Sequence, residues 1–252
     1  MELSSQLTPK LKSLRLSGIL ETLEVRNKQA MAEKCSYVEF LEKLLEDEVE
    51  RRGQKHLDMR LRRSRLDLGK TLEAFDFNFN PSVNRREIFD LATCAFVRSA
   101  ESVFLLGPTG VGKTHLAQAL GHEAVRRGFD VLYLRASQML MNLQAGRADG
   151  SYERRLAALV AVDVLILDDF GLKPMRPPAP EDLYEVIDGR YGKRPLVLTT
   201  NRAFDEWPEL FDNSVLASAA LDRLAHGATQ IVIQGDSYRA KGPRSKLQEA
   251  AA

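Results

Sequence analysis

Apolar residues recur at helical spacing through the first 75 residues of the chain. Leu7 and Leu11 lie one helical turn apart, and later apolar positions continue the period. A further helix is expected to begin at Ser36, because Ser36 and Glu39 match the S-x-x-E capping pattern ahead of an apolar face. Strand-like patterns are scarce in this part. The sequence therefore predicts a small all-helical N-terminal domain over residues 1–75.

Beyond residue 100 the pattern changes to short apolar runs separated by helical segments. The runs predict strands at residues 103–106, 131–134, 164–167, 196–199 and 231–233. Strands that are apolar throughout and alternate with helices form a parallel sheet covered by helices on both faces. Residues 76–252 are therefore predicted to form an α/β domain around a five-stranded parallel sheet.

The segment that joins these two parts alternates aromatic and polar residues as far as Pro81. Its three phenylalanines, Phe75, Phe77 and Phe79, have two interpretations. They could fasten the linker to the core, or they could stack on nucleic-acid bases. Base-stacking aromatic residues normally lie on an ordered sheet or groove, which favours the first interpretation. A helix is predicted next, over residues 84–96.

One stretch carries a specific chemical signal, because residues 107–114 read G-x-x-x-x-G-K-T, the phosphate-binding P-loop pattern. It lies between a predicted strand and a predicted helix, as the pattern requires. Its glycines let backbone N–H groups approach an anion, and the helix that starts there adds its positive dipole end. The sequence predicts a nucleotide site formed by Gly107, Pro108, Thr109, Gly110, Val111, Gly112, Lys113, Thr114 and the adjoining His115.

Four side chains around this loop have predicted roles in phosphoryl chemistry. Lys113 is placed to reach the β- and γ-phosphates, and the Thr114 hydroxyl is placed to hold Mg²⁺. The strand at 164–167 ends in two acids, of which Asp168 would hold the Mg²⁺ water shell. Asp169 would be the base that orients the attacking water. A turn or a helix cap is the structural alternative for the two aspartates.

Asn201 follows the predicted strand at 196–199 and could hold the same water from a neighbouring strand. An ordinary turn residue is its alternative. Because ligands bind at the carboxyl ends of parallel strands, the P-loop, Asp168, Asp169 and Asn201 are expected to meet at one edge of the sheet.

Two arginines downstream are candidates for completing the site. A γ-phosphate transition state needs additional positive charge, which an arginine often supplies in trans. Arg223 and Arg239 could each do this. An ordinary ion pair, such as one between Arg223 and Asp222 or Asp212, is the alternative.

A basic segment follows the acidic stretch of the N-terminal region. Between residues 51 and 70 there are eight lysines or arginines and two acids. On a helix, four of them would lie near one face: Arg51, Lys55, Arg62 and Arg65. Such a face can be merely solvated or can bind DNA phosphates, and the sequence leaves both interpretations open. The candidate DNA contacts are Arg51, Arg52, Lys55, Arg62, Arg63 and Arg65.

Composition narrows the class of protein. The 252 residues carry a net charge of +1, so any DNA-binding patch must be local. A hydrophobic content of 44% suits a globular protein, and no apolar run approaches the length of a membrane span. Cys35 and Cys94 are too few for a disulfide framework, and charged residues interrupt the apolar positions near the N-terminus, unlike a signal peptide. A cytoplasmic location without membrane contact is expected.

Five motifs occur in a fixed order: GPTGVGKTHLA at 107–117, LILDDFG at 165–171, TTNR at 199–202, LDRL at 221–224 and GDSYR at 235–239. Together they resemble the IstB-type transposition helper ATPases, relatives of the DnaC helicase loader within the AAA+ class. The resemblance covers nearly the whole chain. It implies an AAA+ core with a parallel five-stranded sheet flanked by helices, preceded by the small helical domain.

The resemblance also implies a function. Members of this family bind ATP at the subunit interfaces of a homo-oligomer, assemble on duplex DNA and assist the transposase encoded beside them. Carried onto this chain, Asn201 matches sensor 1, and Arg223 matches the arginine finger that acts on a neighbour's ATP. Arg239 matches a sensor-2-like arginine. Position 169 holds Asp where many AAA+ proteins have Glu, as this subfamily often does.

Two other functions are compatible with some of these features. A loader that grips a replicative helicase through residues 1–75 would have the same core motifs, although the basic segment favours direct contact with DNA. A P-loop kinase would need a lid and an acceptor pocket, of which the sequence gives no sign, and Asn201 and Arg223 suit hydrolysis better. The sequence therefore predicts hydrolysis of ATP to ADP and phosphate by a DNA-binding helper of transposition.

Overall fold

The computed structural model of the chain describes residues 7–238. Its contacts divide the chain into two units, with the division between Met59 and Arg60. The boundary expected from the sequence, at 75/76, lies further along the chain. Arg239 is outside the described residues, so the structure gives no account of that candidate.

The first unit is built from helices α1 (Leu7–Ser13), α2 (Ser17–Glu33) and the N-terminal part of α3 (Tyr37–Ser64). Its small core consists of buried aliphatic side chains from all three helices: Leu11, Ile19, Leu23 and Leu44. The predicted capping box is confirmed. Ser36 N donates to Glu39 Oε2 at 2.7 Å, and Glu39 N donates to Ser36 Oγ at 3.2 Å.

Two acidic residues of α3 fix its packing on α2. Glu48 is buried, and its Oε2 accepts a hydrogen bond of 2.6 Å from the backbone N–H of Gly18, in the first turn of α2. Asp47 binds the Arg26 guanidinium in a two-point contact, with N···O distances of 2.6 and 2.8 Å. The Glu48 carboxylate thereby bonds to the start of α2, where backbone N–H groups otherwise lack a partner within the helix.

The second unit contains the predicted five-stranded parallel sheet, so the predicted fold class is confirmed. Its strands are β1 (Val103–Leu106), β2 (Val131–Arg135), β3 (Val164–Phe170), β4 (Leu196–Thr200) and β5 (Thr229–Val232). All neighbouring strands are parallel, and their order is β2-β3-β4-β1-β5. Because β1 lies between β4 and β5, the loop that follows it lies between the ends of those two strands.

Helices cover both faces of this sheet. They are α6 (Lys113–Arg126), α7 (Ala136–Asp149), α8 (Tyr152–Ala161), α9 (Ala179–Arg190) and α10 (Ser214–Ala225), with a 3₁₀ helix at Phe204–Leu210. On β3, Leu165 and Leu167 belong to the core cluster that includes residues of α7, whereas the Ile166 side chain lies against Gly121 of α6. Because successive strand residues point to opposite faces, α6 and α7 cover different sides of the sheet.

The segment that precedes the sheet differs in part from the prediction. Asn84 caps helix α4 (Arg85–Ala92) by accepting hydrogen bonds from the N–H groups of Arg86 and Glu87. The predicted helix does not continue to residue 96, because Cys94 has a φ of 60° and interrupts it before α5 (Ala95–Ser99). Within residues 7–238, no helix is long and apolar enough to cross a lipid bilayer.

Candidate nucleotide-binding site

The P-loop begins directly after β1 with Gly107, whose φ is 147°. A Cβ atom at this position would lie 2.0 Å from the carbonyl oxygen of Ile233, the residue that follows β5. The Gly107 N–H also donates to the Thr200 carbonyl on the other side, at 3.2 Å. Position 107 therefore requires glycine, both for its backbone angles and for the close passage of the neighbouring chain.

The loop ends at Gly112, the N-cap of α6, which has a φ of 102°. A Cβ atom here would lie 2.8 Å from a ring carbon of Phe75. The same ring packs edge-on against His115, with ring centroids 5.2 Å apart, and His115 Nε2 lies 2.8 Å from the Thr71 carbonyl oxygen. The segment before α4 is therefore fastened to the P-loop, which supports the first interpretation of its aromatic residues.

Lys113 is the first residue of α6, and its side chain is buried. Its Nζ donates to the carbonyl oxygens of Gly107 and Pro108, each at 2.7 Å. The Lys113 ammonium group therefore lies against the P-loop. The backbone N–H groups at the end of this loop are also those of the first turn of α6. This arrangement concentrates positive charge where a phosphate group would be bound.

The Asp168 carboxylate is buried and accepts hydrogen bonds from three hydroxyl groups. Thr114 Oγ1 donates to Oδ1 at 2.8 Å, and Thr199 Oγ1 donates to the same oxygen. Tyr133 on β2 donates to Oδ2 at 2.7 Å. Burial, reinforced by this hydrogen bond, raises the pKa of Tyr133 above its ordinary value, so the phenol remains a donor.

These oxygens fit the requirements of Mg²⁺. The ion is usually held by one or two protein oxygens together with substrate phosphates and water, and Thr114 and Asp168 bring one hydroxyl and one carboxylate together. Over the described residues there is no group of three or more His, Cys, Asp or Glu side chains suited to a metal ion. The geometry therefore suits a metal bound jointly with a nucleotide rather than by the protein alone.

Asp169 lies within β3, because the strand continues through the aspartates to Phe170 instead of ending at residue 167. The register with β4 shifts between Leu167 and Phe170, and Asp169 has a φ of 56°. Its N–H donates to Thr199 Oγ1 at 3.1 Å, while its side chain is exposed and lies 4.0 Å from Arg135 Nε. This bulge presents one buried and one exposed carboxylate in succession.

These groups meet in one cleft of about 490 Å³. Asn201, just after β4, is exposed and contributes to its wall. The cleft lining thus brings together the P-loop from Thr109 onward, His115, both aspartates and Asn201, as the carboxyl-end argument predicts. Gly107 and Pro108 contact the Lys113 ammonium group just beneath it.

The sequence did not predict the remaining part of the cleft lining. It is formed by residues ahead of the sheet, including Phe75, Asp76 and Phe79, and by Tyr238. Tyr238 N donates to the Gly110 carbonyl at 3.0 Å, and its ring packs edge-on against Phe79, with centroids 4.7 Å apart. The alternating aromatic pattern was the available signal, but nothing local indicates that it lies beside the P-loop.

Arg223 does not line this cleft. It lies near the end of α10, in a second cleft of about 360 Å³ that also contains Arg190 and Arg194. Its Nε lies 2.8 Å from Asp188 Oδ1 on α9, so the ion-pair alternative is observed, but with neither Asp222 nor Asp212. Arg190 is buried, and its guanidinium donates to five backbone carbonyls, those of Leu159, Val160, Val162, Asp163 and Pro195.

The basic segment divides into paired and unpaired residues. Arg51 forms a two-point ion pair with Glu21, and Arg52 pairs with Glu48. Arg65 follows the end of α3 with a φ of 60°, so the expectation that it continues the helical face is wrong. The exposed residues that form no ion pair within the part of the chain described are Lys55, Arg62, Arg63 and Arg65.

A P-loop after the first strand, two acids on the third and the strand order β2-β3-β4-β1-β5 define an α/β core of the AAA+ class. Comparison with known proteins then identifies the family. Residues 9–246 match the family of IstB-like ATP binding proteins, and the chain belongs to this family.

Relatives from insertion sequences are similar in sequence to this chain along nearly their whole length. An ATP-binding protein of an insertion sequence in Mycobacterium tuberculosis is 44% identical, over 91% of this chain and 92% of its own. The ATP-binding protein of insertion sequence IS21 from Pseudomonas aeruginosa is 41% identical, over 93% of this chain and 88% of its own. The resemblance seen in the sequence motifs is thereby confirmed.

Solved structures confirm the fold. The DnaC helicase loader aligns with a TM-score of 0.58 at 22% identity, over 66% of this chain and 97% of its own. AMPPCP-bound DnaA from Aquifex aeolicus aligns with a TM-score of 0.56 at 23% identity, over 73% of this chain and 56% of its own. Both likenesses concern the fold alone.

Proposed function

We propose that this chain is a Mg²⁺-dependent ATPase that assembles on duplex DNA as a homo-oligomer and assists the transposase of an insertion sequence, in the cytoplasm. One observation supports it above the others: phosphate-binding and metal-binding groups meet in one cleft, while Arg223 lies in another. Arg223 would therefore act on the phosphate-binding cleft of a second subunit rather than on the cleft of its own chain.

Within the proposed site each residue has a distinct task. Lys113 and the P-loop N–H groups hold the β- and γ-phosphates, and Thr114 and Asp168 hold Mg²⁺. Held there, Mg²⁺ would supply positive charge to the phosphate oxygens. Asp169, whose carboxylate is exposed to the cleft, accepts a proton from the attacking water, and Asn201 orients that water. The aromatic wall suits the nucleotide base, because base–aromatic stacking tolerates any ring system.

Arg223 acts on the ATP of a neighbouring subunit in this proposal. Arg223→Ala is then expected to bind ATP normally and to lose turnover by about 10³-fold or more, as arginine fingers typically contribute. Lys113→Ala is expected to lose ATP binding itself. Fluorescent-nucleotide titration and phosphate release would be measured on both variants, and normal turnover by Arg223→Ala would exclude a role in trans.

DNA contact is proposed for the basic segment, with its exposed unpaired residues contributing most. Phosphate contacts give affinity with a steep salt dependence and little sequence preference. Replacing Lys55, Arg62 and Arg63 together by alanine is expected to reduce the slope of log K against log salt by about 2 to 3. Replacing Lys10, Lys12 and Lys28, which are equally exposed, removes the same charge and should leave the slope unchanged.

The transposase proposal draws on the relatives, which are described as ATP-binding proteins of insertion sequences. The test is a transposition assay with the transposase encoded beside this chain, with and without ATP, combined with electron microscopy of the protein on random duplex DNA. ATP-dependent assemblies on DNA and stimulated strand transfer would support it. Capture of a replicative helicase without any duplex binding would instead support a helicase loader.

A further inference from the structure

Two of the three guanidinium nitrogen atoms of Arg223 contact protein oxygen atoms, one in an ion pair and one in a hydrogen bond. Its Nε lies 2.8 Å from Asp188 Oδ1, and its Nη1 donates to the Ala219 carbonyl one turn earlier in α10, at 3.0 Å. Across the described residues, Nη2 donates to no protein group. The guanidinium therefore has a fixed orientation and keeps one end for another acceptor.

Two residues of α9 and the residue that follows it surround this arginine. Tyr184 and Asp188 are spaced i and i+4, which places them on one face of α9, and Tyr191 lies directly after the end of the helix. The Arg223 guanidinium carbon lies 5.3 Å from the Tyr184 ring centroid and 5.9 Å from that of Tyr191. The two rings therefore flank the guanidinium whose Nε pairs with Asp188.

Stability alone does not account well for the pair. The Asp188 side chain is 47% exposed and that of Arg223 is 29% exposed, and ion pairs of such exposure contribute little to folding. The Asp188–Arg223 pair has a larger effect on the direction of the arginine side chain. An arginine has several rotatable bonds, and the carboxylate favours one arrangement of them. A charge that must meet a developing phosphate charge depends on that arrangement.

We infer that Asp188 is a positioning residue, which orients Arg223 for the ATP of a neighbouring subunit. The inference rests on the proposed trans role of Arg223. Contact at Nε, rather than at both terminal nitrogens, distinguishes positioning from sequestration: it leaves Nη2 for a phosphate oxygen, whereas a carboxylate across Nη1 and Nη2 would block the end that acts.

The first experiment compares Asp188→Asn with Asp222→Asn. Asp222 is an exposed acid adjacent to Arg223 that forms no ion pair among residues 7–238, so its replacement changes the same net charge without touching the arginine support. Asp188→Asn is expected to bind ATP normally and to turn over about 10- to 100-fold more slowly, and Asp222→Asn to match the wild type. Faster turnover by Asp188→Asn would overturn the inference in favour of sequestration, and unchanged turnover would overturn it altogether.

The second experiment separates positioning from a general structural defect by mixing subunits. Lys113→Ala subunits lack an ATP site but carry an intact Arg223, so mixing them with Asp188→Asn subunits should restore turnover. Mixing Asp188→Asn with Arg223→Ala should restore none, because neither subunit supplies a working arginine. A defect that Lys113→Ala fails to complement would assign Asp188 a structural role only.

The control mixture tells the two failures apart. Lys113→Ala and Arg223→Ala together should regain turnover if Arg223 acts in trans. Recovery in this control without recovery for Asp188→Asn would overturn the inference about Asp188 and leave the proposed function intact. No recovery in the control would remove the trans role of Arg223, and the inference about Asp188 would fall with it.

Discussion

Tyr133 donates its hydroxyl hydrogen to Asp168 Oδ2 over 2.7 Å, from the strand next to the one that carries the aspartate. The contact leaves Oδ1 to the hydroxyls of Thr114 and Thr199. Because each oxygen of the Asp168 carboxylate accepts a hydrogen bond, the rotation of this carboxylate is fixed. Tyr133 therefore supports the residue proposed to hold Mg²⁺ without being a ligand itself.

Tyr133→Phe is accordingly expected to weaken the metal dependence of turnover. Loss of a hydrogen bond that orients a metal-binding carboxylate typically costs about 10- to 100-fold in affinity or activity. The measurement is ATP turnover against Mg²⁺ concentration, where the variant should need more metal for half-maximal rate. Tyr37→Phe, which removes a hydroxyl from a 94% exposed side chain, is the control and should match the wild type.

Gly112→Ala is expected to damage both the fold and the site. The residue has a φ of 102°, and the new methyl would meet the Phe75 ring at 2.8 Å, so we expect a loss of about 1 to 3 kcal/mol in the free energy of unfolding. Urea unfolding and nucleotide titration would measure the two effects. Gly53→Ala on α3, where a methyl meets nothing within 4 Å, should instead stabilise the chain by roughly 0.5 to 1 kcal/mol.

The Arg26–Asp47 pair should make the stability depend on pH. The hydrogen bonds from Arg26 lower the pKa of Asp47 to about 2. Because the unfolded carboxyl titrates near 4, the pair contributes fully above that pH and its contribution disappears as the pH falls towards 2.

Asp47→Asn should therefore lower the free energy of unfolding at pH 7, by up to about 1 kcal/mol, and differ less and less from the wild type towards pH 2. Urea unfolding at pH 7, 4 and 3 would follow this convergence. Glu46→Gln, at an adjacent exposed position without an ion pair in the described part of the chain, should show no such trend. A constant difference at all three pH values would contradict the assignment.

Arg190 is expected to be among the most sensitive positions for stability. Its five carbonyl acceptors lie in the last turn of α8, just before β3 and just before β4, and Arg190→Met would leave several of them without this donor. We expect the free energy of unfolding of Arg190→Met to fall by about 3 kcal/mol or more, which would be measured as a shift in the urea midpoint. Arg194→Met, at a partly exposed side chain, should change stability by less than about 0.5 kcal/mol.

The sequence predicted what local patterns determine. All five strands were located from apolar runs, and the catalytic groups were expected at one edge because parallel strands end together. The third strand was predicted to stop at residue 167, since Asp168 is polar. It continues because the hydroxyls of Thr114, Thr199 and Tyr133 satisfy the buried carboxylate, and none of these partners is a neighbour in sequence.

Other contacts also depend on residues that are distant in sequence, and these contacts were not predicted. Phe75 was visible as part of an aromatic pattern, but its position against Gly112 depends on how the linker passes the P-loop. An ion pair of Arg223 was considered, but only the packing of α10 on α9 determines that Asp188 is the partner. Cys94 ends a helix through its backbone angle, which residue type alone did not indicate.

The left-handed backbone at Asp169 has a practical consequence for preparing an arrested form of the protein. Asp and Asn enter this region more readily than longer side chains, so Asp suits the position where Glu would add strain. Asp169→Asn keeps the size and the backbone preference while removing the carboxylate that we propose accepts the proton. The variant should retain natural ATP unbroken, and assemblies made with it could be imaged without a synthetic nucleotide analogue.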